Sequence, residues 1–188
     1  QYATKQSWFL EDGLLKDCKF NIISGVSSRI ISGDKIGFCS SNDLNYLNID
    51  SILKISNEII SKGDSKKIEF NNKNKIHNDL YKIKIQSSNE NDDNMILFLK
   101  NIFNSIKKFD NKIKKVDISL NVINDTILIL INNEHFCHDI RPLFSLKINI
   151  ISELKEIKEQ TNFGFGGRYN YNDFIENNDI YNHVKKLS

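Results

Sequence analysis

The apolar rhythm of this chain changes near residue 110. Before that point Met95, Ile96, Leu99, Ile102, Phe103 and Ile106 recur close to every 3.6 residues, the spacing of one helix face. After Ile113 the period becomes two: Val116, Ile118, Leu120 and Val122 alternate with Asp117, Ser119 and Asn121, which gives a strand with one wet face. A helix period followed directly by a strand period is incompatible with an all-helical or an all-strand domain. The fold expected is α+β, an antiparallel or mixed sheet with flanking helices.

The remaining segments fit that plan. Residues 1–41 are strand-like, and Gly13, Gly25 and Gly33-Asp34 punctuate them as turns. Ile30 to Ile36 reads as a hairpin in which Gly33 takes the positive φ of a tight turn. Asp43 then caps a helix whose apolar face holds Leu44, Leu47, Ile52, Ile55, Ile59 and Ile60, with Gly63 as its stop. Residues 64–91 are polar and lysine-rich, a long surface connection. Asp92 or Asp93 caps the second helix. Asn124-Asp125 predicts a turn, the continuously apolar Thr126 to Ile131 a central strand, and Asn132-Asn133 a second turn. Phe136 to Leu154 supplies one or two further strands, with Pro142 at an edge or bend. A glycine-rich loop, Gly164 to Arg168, leads to a final helix carrying Phe174, Ile175, Ile180, Tyr181 and Val184. The organisation is thus 1–63, strands plus helix; 64–91, connection; 92–188, helix, strands, glycine-rich loop and helix. Strands followed by a helix occur in both halves, a faint internal repeat.

Composition narrows the function. Lys and Arg number 26 against 24 Asp and Glu, and the lysines are scattered among acids and asparagines. With three Arg and no basic stripe, a phosphate-binding surface is not expected, nor is nucleic acid as a partner. No apolar run approaches the ~20 residues that span a bilayer, so no membrane association is expected. Cys18, Cys39 and Cys137 are odd in number and form no Cys-x-x-Cys, which reads as reduced thiols in the cytoplasm. One Ala and one Pro beside abundant Ile, Asn and Lys reflect A/T-rich codons, as in a small bacterial genome. The strand-like start at Gln1 reads as the interior of a longer chain.

Few residues could carry chemistry. His135 and Cys137 share one face of a strand and His138 takes the other, so the three do not converge on a metal. Gly164-Phe165-Gly166-Gly167-Arg168 lacks the Gly-Lys-Ser/Thr of a phosphate loop. Its glycines let backbones approach or turn, and the guanidinium of Arg168 suits a carboxylate, in a structural ion pair, on a peptide or on a partner chain. Asp139, Arg141 and Pro142 read as a strand bend braced by an Asp–Arg pair. Trp8 and Phe9 are core or partner-contact aromatics.

Two blocks of residues resemble a known family. The first holds Ser7-Trp8, Leu10-Glu11-Asp12, Lys16-Asp17, Phe20-Asn21-Ile22, Gly25-Val26, Arg29, Ile31 to Lys35 and Gly37-Phe38; the second holds Asp139 to Leu143 with Gly164, Gly166, Gly167 and Arg168. In order and spacing they resemble the N-terminal domain of TldD-like metallopeptidases of the TldD/PmbA family, also called modulators of DNA gyrase. Cys18 departs from the small residue usual there, at what reads as a turn, and Phe163 and Phe165 add bulk to a loop usually richer in glycine. The resemblance implies a zinc peptidase that degrades unfolded peptides with a PmbA/TldE-like partner subunit. It also implies that zinc belongs to a His-Glu-x-x-x-His motif in a later domain, which this sequence does not contain. No catalytic or metal residue is then expected here. The residues assigned to substrate or partner contact are Arg168, Gly166, Gly167 and Arg141. A second reading is a stand-alone peptide- or protein-binding module left after loss of the catalytic domain.

Overall fold

The computed structural model describes residues 1–61, 92–132, 135–177, 179, 180 and 182. Among these residues seven strands and three helices follow in the order β1 (Tyr2–Glu11), β2 (Leu14–Ser24), β3 (Val26–Ser32), β4 (Lys35–Ser41), α1 (Tyr46–Ser61), α2 (Asp92–Phe109), β5 (Ile113–Ile131), β6 (His135–Leu154), β7 (Ile157–Gly167) and α3 (Tyr171–Ile175). The result is α+β and mostly antiparallel. Five strands form a sheet in the order β2-β1-β5-β6-β7, and β3-β4 form a separate hairpin. The chain divides into two compact units. The first takes the described parts of 1–3, 22–80 and 125–139; the second takes those of 4–21, 81–124 and 140–188.

In the second unit the two periods seen in the sequence meet. Met95, Phe98, Leu99, Ile102 and Ile106 of α2 are buried, as are Val116, Ile118, Leu120 and Val122 of β5. Trp8 and Leu10 of β1, Phe144, Leu146, Ile148 and Ile150 of β6, and Phe174 and Ile180 complete one cluster. Each such side chain contributes roughly 1.5–3 kcal/mol on burial. Phe174 is the aromatic hub: its ring stacks on Phe144 at 4.7 Å and meets the edge of Phe98 at 5.9 Å. The turn between β1 and β2 is Asp12-Gly13, with φ of 47° and 79°. Asp12 closes it by donating its amide to the Val116 carbonyl and accepting the Val116 amide on its carboxylate.

In the first unit α1 lies on the β3–β4 hairpin. The hairpin turns at Gly33, with φ 61° as expected of that glycine, and pairs Ser32 with Lys35 through to Val26 with Ser41. The helix starts later than the sequence suggests. Its cap is Asn45, whose side-chain oxygen accepts the Asn48 amide at 2.8 Å; Asp43 instead accepts the amide of Asn45. The apolar face also differs. Ile52, Ser56 and Ile60 are the buried stripe, while Leu44, Leu47, Ile55 and Ile59 are exposed. The helix stop at Gly63 and the connection 64–91 lie outside the described residues, as do Tyr181 and Val184.

Other expectations are corrected. Asn124-Asp125 is not a turn: β5 continues through it, and the Asp125 carboxylate accepts the side-chain amide of Gln1 at 3.0 Å. The neighbouring chain satisfies the polar group laterally, so the backbone stays in the ladder. Thr126 to Ile131 belongs to the middle strand of the sheet, yet Leu128 to Ile131 are exposed. Lys16-Asp17-Cys18 lies within β2, not at a turn. Residues 164–167 close strand β7 and are not a loop.

Candidate functional site

The two parts of the second block, around Pro142 and from Gly164 to Arg168, meet at one end of the β6–β7 pair. The register sets Phe144 opposite Gly167, Ser145 opposite Gly166 and Lys147 opposite Gly164. Pairing from β7 stops at Phe144, so Pro142, two residues earlier, lies where β6 has lost that neighbour. This is the edge-like position in which a missing N–H is tolerated. Its carbonyl is used: Arg168 Nη1 donates to it at 3.2 Å. Arg168 therefore ties the end of β7 back onto β6. Arg141 is half-buried in the same stretch of β6.

The glycines have separate local reasons. A Cβ on Gly166 would sit 2.5 Å from the Phe144 carbonyl oxygen, and one on Gly167 would sit 2.7 Å from the Tyr169 ring. A Cβ on Gly164 would meet nothing within 4 Å. Phe163 and Phe165 alternate with these glycines and pack against the core, and Phe165 stacks on Tyr169 at 5.7 Å. The bulk at these two positions thus faces inward. β7 is the outer strand of the sheet, and its backbone edge is covered at Gly164 by no side chain of its own.

The sheet face away from the core is polar and carries a hollow of about 470 Å³. Phe9, Asp117, Ser119, Lys147, Asn149, Asn162 and Gly164 line it, together with the apolar Ile148 and Phe163. A chain of polar contacts crosses this face. Lys16 lies 3.9 Å from Glu11, Glu11 is 2.5 Å from Lys115, and Lys115 is 3.5 Å from Asp117. Asn149 donates to Asp117 at 3.4 Å and Gln160 donates to Asn149 at 2.8 Å. All five strands contribute. The hydrogen bond from Lys115, followed by its charge, holds the Glu11 carboxyl below its ordinary value; the same hydrogen bond raises the Lys115 ammonium.

Of the residues assigned to contact, Gly166, Gly167 and Arg168 come together with Arg141's strand, but none lines the hollow. The hollow draws on four strands, and only the wet face of Asp117 and Ser119 was visible as a pattern in the sequence. Among the described residues no three His, Cys, Asp or Glu side chains group to hold a metal. His135, Cys137 and His138 follow one another along β6, where successive residues alternate between faces. The three cysteines form no disulfide with one another, and no described helix is long and apolar enough to cross a membrane.

Residues 1–60 match the family model for PmbA/TldA metallopeptidase domain 1. The likeness extends beyond that block. A metalloprotease TldD homologue of Haemophilus influenzae is 28% identical over 94% of this chain and 37% of its own length. A metalloprotease TldD homologue of Buchnera aphidicola from Schizaphis graminum is 26% identical over 94% of this chain and 36% of its own. The fold agrees with a Thermotoga maritima protein bearing the name modulator of DNA gyrase, at TM-score 0.73 and 14% identity over 99% of this chain and 42% of that one. It agrees also with TldE of Thermococcus kodakarensis, at TM-score 0.60 and 9% identity over 99% of this chain and 42% of that one. The chain is similar to these TldD homologues over nearly its whole length, and the family model matches its first third. It spans a little over a third of the curated relatives it matches.

Proposed function

We propose that this chain is the non-catalytic N-terminal portion of a TldD-like zinc metallopeptidase that degrades unfolded peptides in the cytoplasm. Its role is to wall the substrate chamber and to contribute subunit contacts with a PmbA/TldE-like partner. The observation that carries this reading is the alignment with metalloprotease TldD homologues over 94% of the chain, combined with described residues that group no metal ligands. By the resemblance, zinc is assigned to a His-Glu-x-x-x-His motif of a later domain. The outer strand β7 supports the peptide role. An extended peptide adds to a free strand edge through main-chain hydrogen bonds, whatever its sequence, and glycine keeps that edge uncrowded. Arg168, at the end of β7 with Gly166, Gly167 and nearby Arg141, is the proposed contact for a peptide carboxylate or a partner's acidic side chain.

The reading frame beyond Ser188 is a direct test. A continuing frame with His-Glu-x-x-x-His supports the peptidase, and a stop codon there would assign the chain to the stand-alone module. In the full-length, partner-bound enzyme, Arg168→Ala is expected to lower peptide turnover or weaken pairing while zinc content and folding persist. Loss of thermal stability ahead of any kinetic change would reduce Arg168 to the brace seen on Pro142.

A further inference from the structure

Gly164 leaves a gap in a row of side chains, and a cation stands behind it. On the outer face of β7, Gln160 reaches Asn149 and Asn162 lines the hollow, but Gly164 presents nothing there. A Cβ at Gly164 would find open space, while its neighbours Phe163 and Phe165 pack inward on the core. The β6 residue opposite Gly164 is Lys147. Both line the hollow, so the hollow reaches the outermost strand at a position without a side chain. Lys147 is also the unengaged charge of the lining. The acid in that lining, Asp117, sits one strand further in and is held by Lys115 at 3.5 Å and Asn149 at 3.4 Å. Lys147 is exposed and has no ion pair or hydrogen bond among the described residues. Apart from Phe9, the side chains standing on this face are charged, amide or hydroxyl, which suits a wet surface and not a face awaiting another apolar layer.

We propose that this gap is a specificity subsite for a glutamate side chain of an extended peptide paired with β7. The inference rests on the reading that β7 takes such a peptide at its edge. Residues opposite each other on neighbouring strands present their side chains on the same face. The peptide residue opposite Gly164 therefore directs its side chain over the glycine and toward Lys147. Strands lie about 4.8 Å apart, so the peptide backbone runs roughly 10 Å from that of β6. A lysine and a glutamate side chain stretched toward each other span on the order of that distance. A larger residue at position 164 would stand between them, and the glycine removes it. A lysine or arginine on the peptide would instead meet a like charge. Main-chain bonds hold the peptide whatever its sequence, and the subsite adds a preference at one position.

Amide chemical-shift titration of this chain tests it with two probes. One is a short acetylated, amidated peptide of threonine and valine with a central glutamate; the other is its glutamine twin. Blocked ends leave the side chain as the sole carboxylate. Both peptides are expected to shift the β7 amides around Gly164, and the glutamate peptide to bind roughly two- to fivefold tighter at low salt, the range of an exposed ion pair. High salt should shrink that preference. Lys147→Gln changes an exposed residue, so the fold should persist while both peptides bind alike at the weaker value. Lys158→Gln removes an exposed cation from β7 outside the hollow and should keep the preference. Equal binding of the two peptides to the wild-type chain would overturn the subsite and leave β7 as a peptide edge. A preference that survives Lys147→Gln, or is lost equally with Lys158→Gln, would overturn it too. If neither peptide shifts the β7 amides, the edge reading falls and the subsite with it.

Discussion

Gly37→Ala should unseat helix α1 from its hairpin. Gly37 lies in β4 opposite Ile30, on the face that α1 covers. A Cβ built there would stand 2.0 Å from the Ser56 carbonyl oxygen, 2.9 Å from its carbon and 3.1 Å from Ile60 Cγ1. The obstacle is helix backbone, not the tip of a flexible side chain. The helix must retreat by about 1 Å to restore van der Waals distance. Ser56, fully buried, donates its hydroxyl to the Ile52 carbonyl at 2.8 Å and reaches the Ser28 carbonyl at 3.4 Å; the retreat breaks the second contact. Ile52 and Ile60, the buried apolar residues of α1, would lose part of their packing. Overpacking costs about 1–3 kcal/mol, and the lost hydrogen bond adds about 1 kcal/mol. Alanine's smaller unfolded-state entropy returns roughly 0.4–1 kcal/mol. The net expectation is a loss of about 2–3 kcal/mol, hence a melting temperature lower by roughly 4–12 °C for a chain of this size. Thermal melts by circular dichroism, with hydrogen exchange across Ile49 to Ile60, measure it. Gly164→Ala is the matched control, since its Cβ meets nothing within 4 Å, and it should stay within about 0.5 kcal/mol of wild type. A Gly37→Ala variant that melts with wild type and keeps slow exchange in α1 would refute the close-approach account of this seam.

Two further predictions concern the hairpin and the polar face. Gly33 sits at φ 61°, where a β-branched residue is strained, so Gly33→Val should cost on the order of 1–2 kcal/mol in chemical denaturation. Glu11 is held below its ordinary value of 4.5 by the Lys115 hydrogen bond and then by its charge. Stability from this pair is therefore complete above pH 4.5 and declines as pH falls through the lower folded value. Glu11→Gln should flatten the acid limb of the stability profile as pH falls below 4.5, and an unchanged slope would show that the pair does not couple to folding.

What could be read from the sequence was what local rhythm controls. Helix α2 and the first half of β5 were plain because one face of each is buried without interruption, from Met95 to Ile106 and from Val116 to Val122. The seam of α1 was not, because it runs Ile52-Ser56-Ile60, and an apolar-face search discards a serine that Gly37 alone makes room for. Asn124-Asp125 carries turn chemistry, but Gln1, more than a hundred residues away, supplies the partner that keeps the strand straight. Glycines 164, 166 and 167 suggested a loop by composition. The register with β6 sets them in a strand, and the Phe144 carbonyl beside Gly166 is a long-range cause that no window of sequence contains. The hollow lined by Phe9, Asp117, Lys147 and Asn162 is assembled from four strands and was invisible for the same reason.

The polar face also bears on how the sheet is specified. A slip of one residue in any strand would exchange its core and outer faces. On the inner face the buried side chains forbid this; on the outer face the contacts from Lys16 through Glu11, Lys115, Asp117 and Asn149 to Gln160 supply a second constraint. Each of the exposed ion pairs is worth little alone. Together they require one register at every strand boundary, because a slip in any strand separates a contact on each side of it. The constraint ends at Gln160 on β7, whose outer edge pairs with no further strand among the described residues. A register fixed from β2 to β7 would present that edge, Gly164 included, in one defined pleat. An added strand of peptide could then be held by backbone hydrogen bonds without reading its side chains.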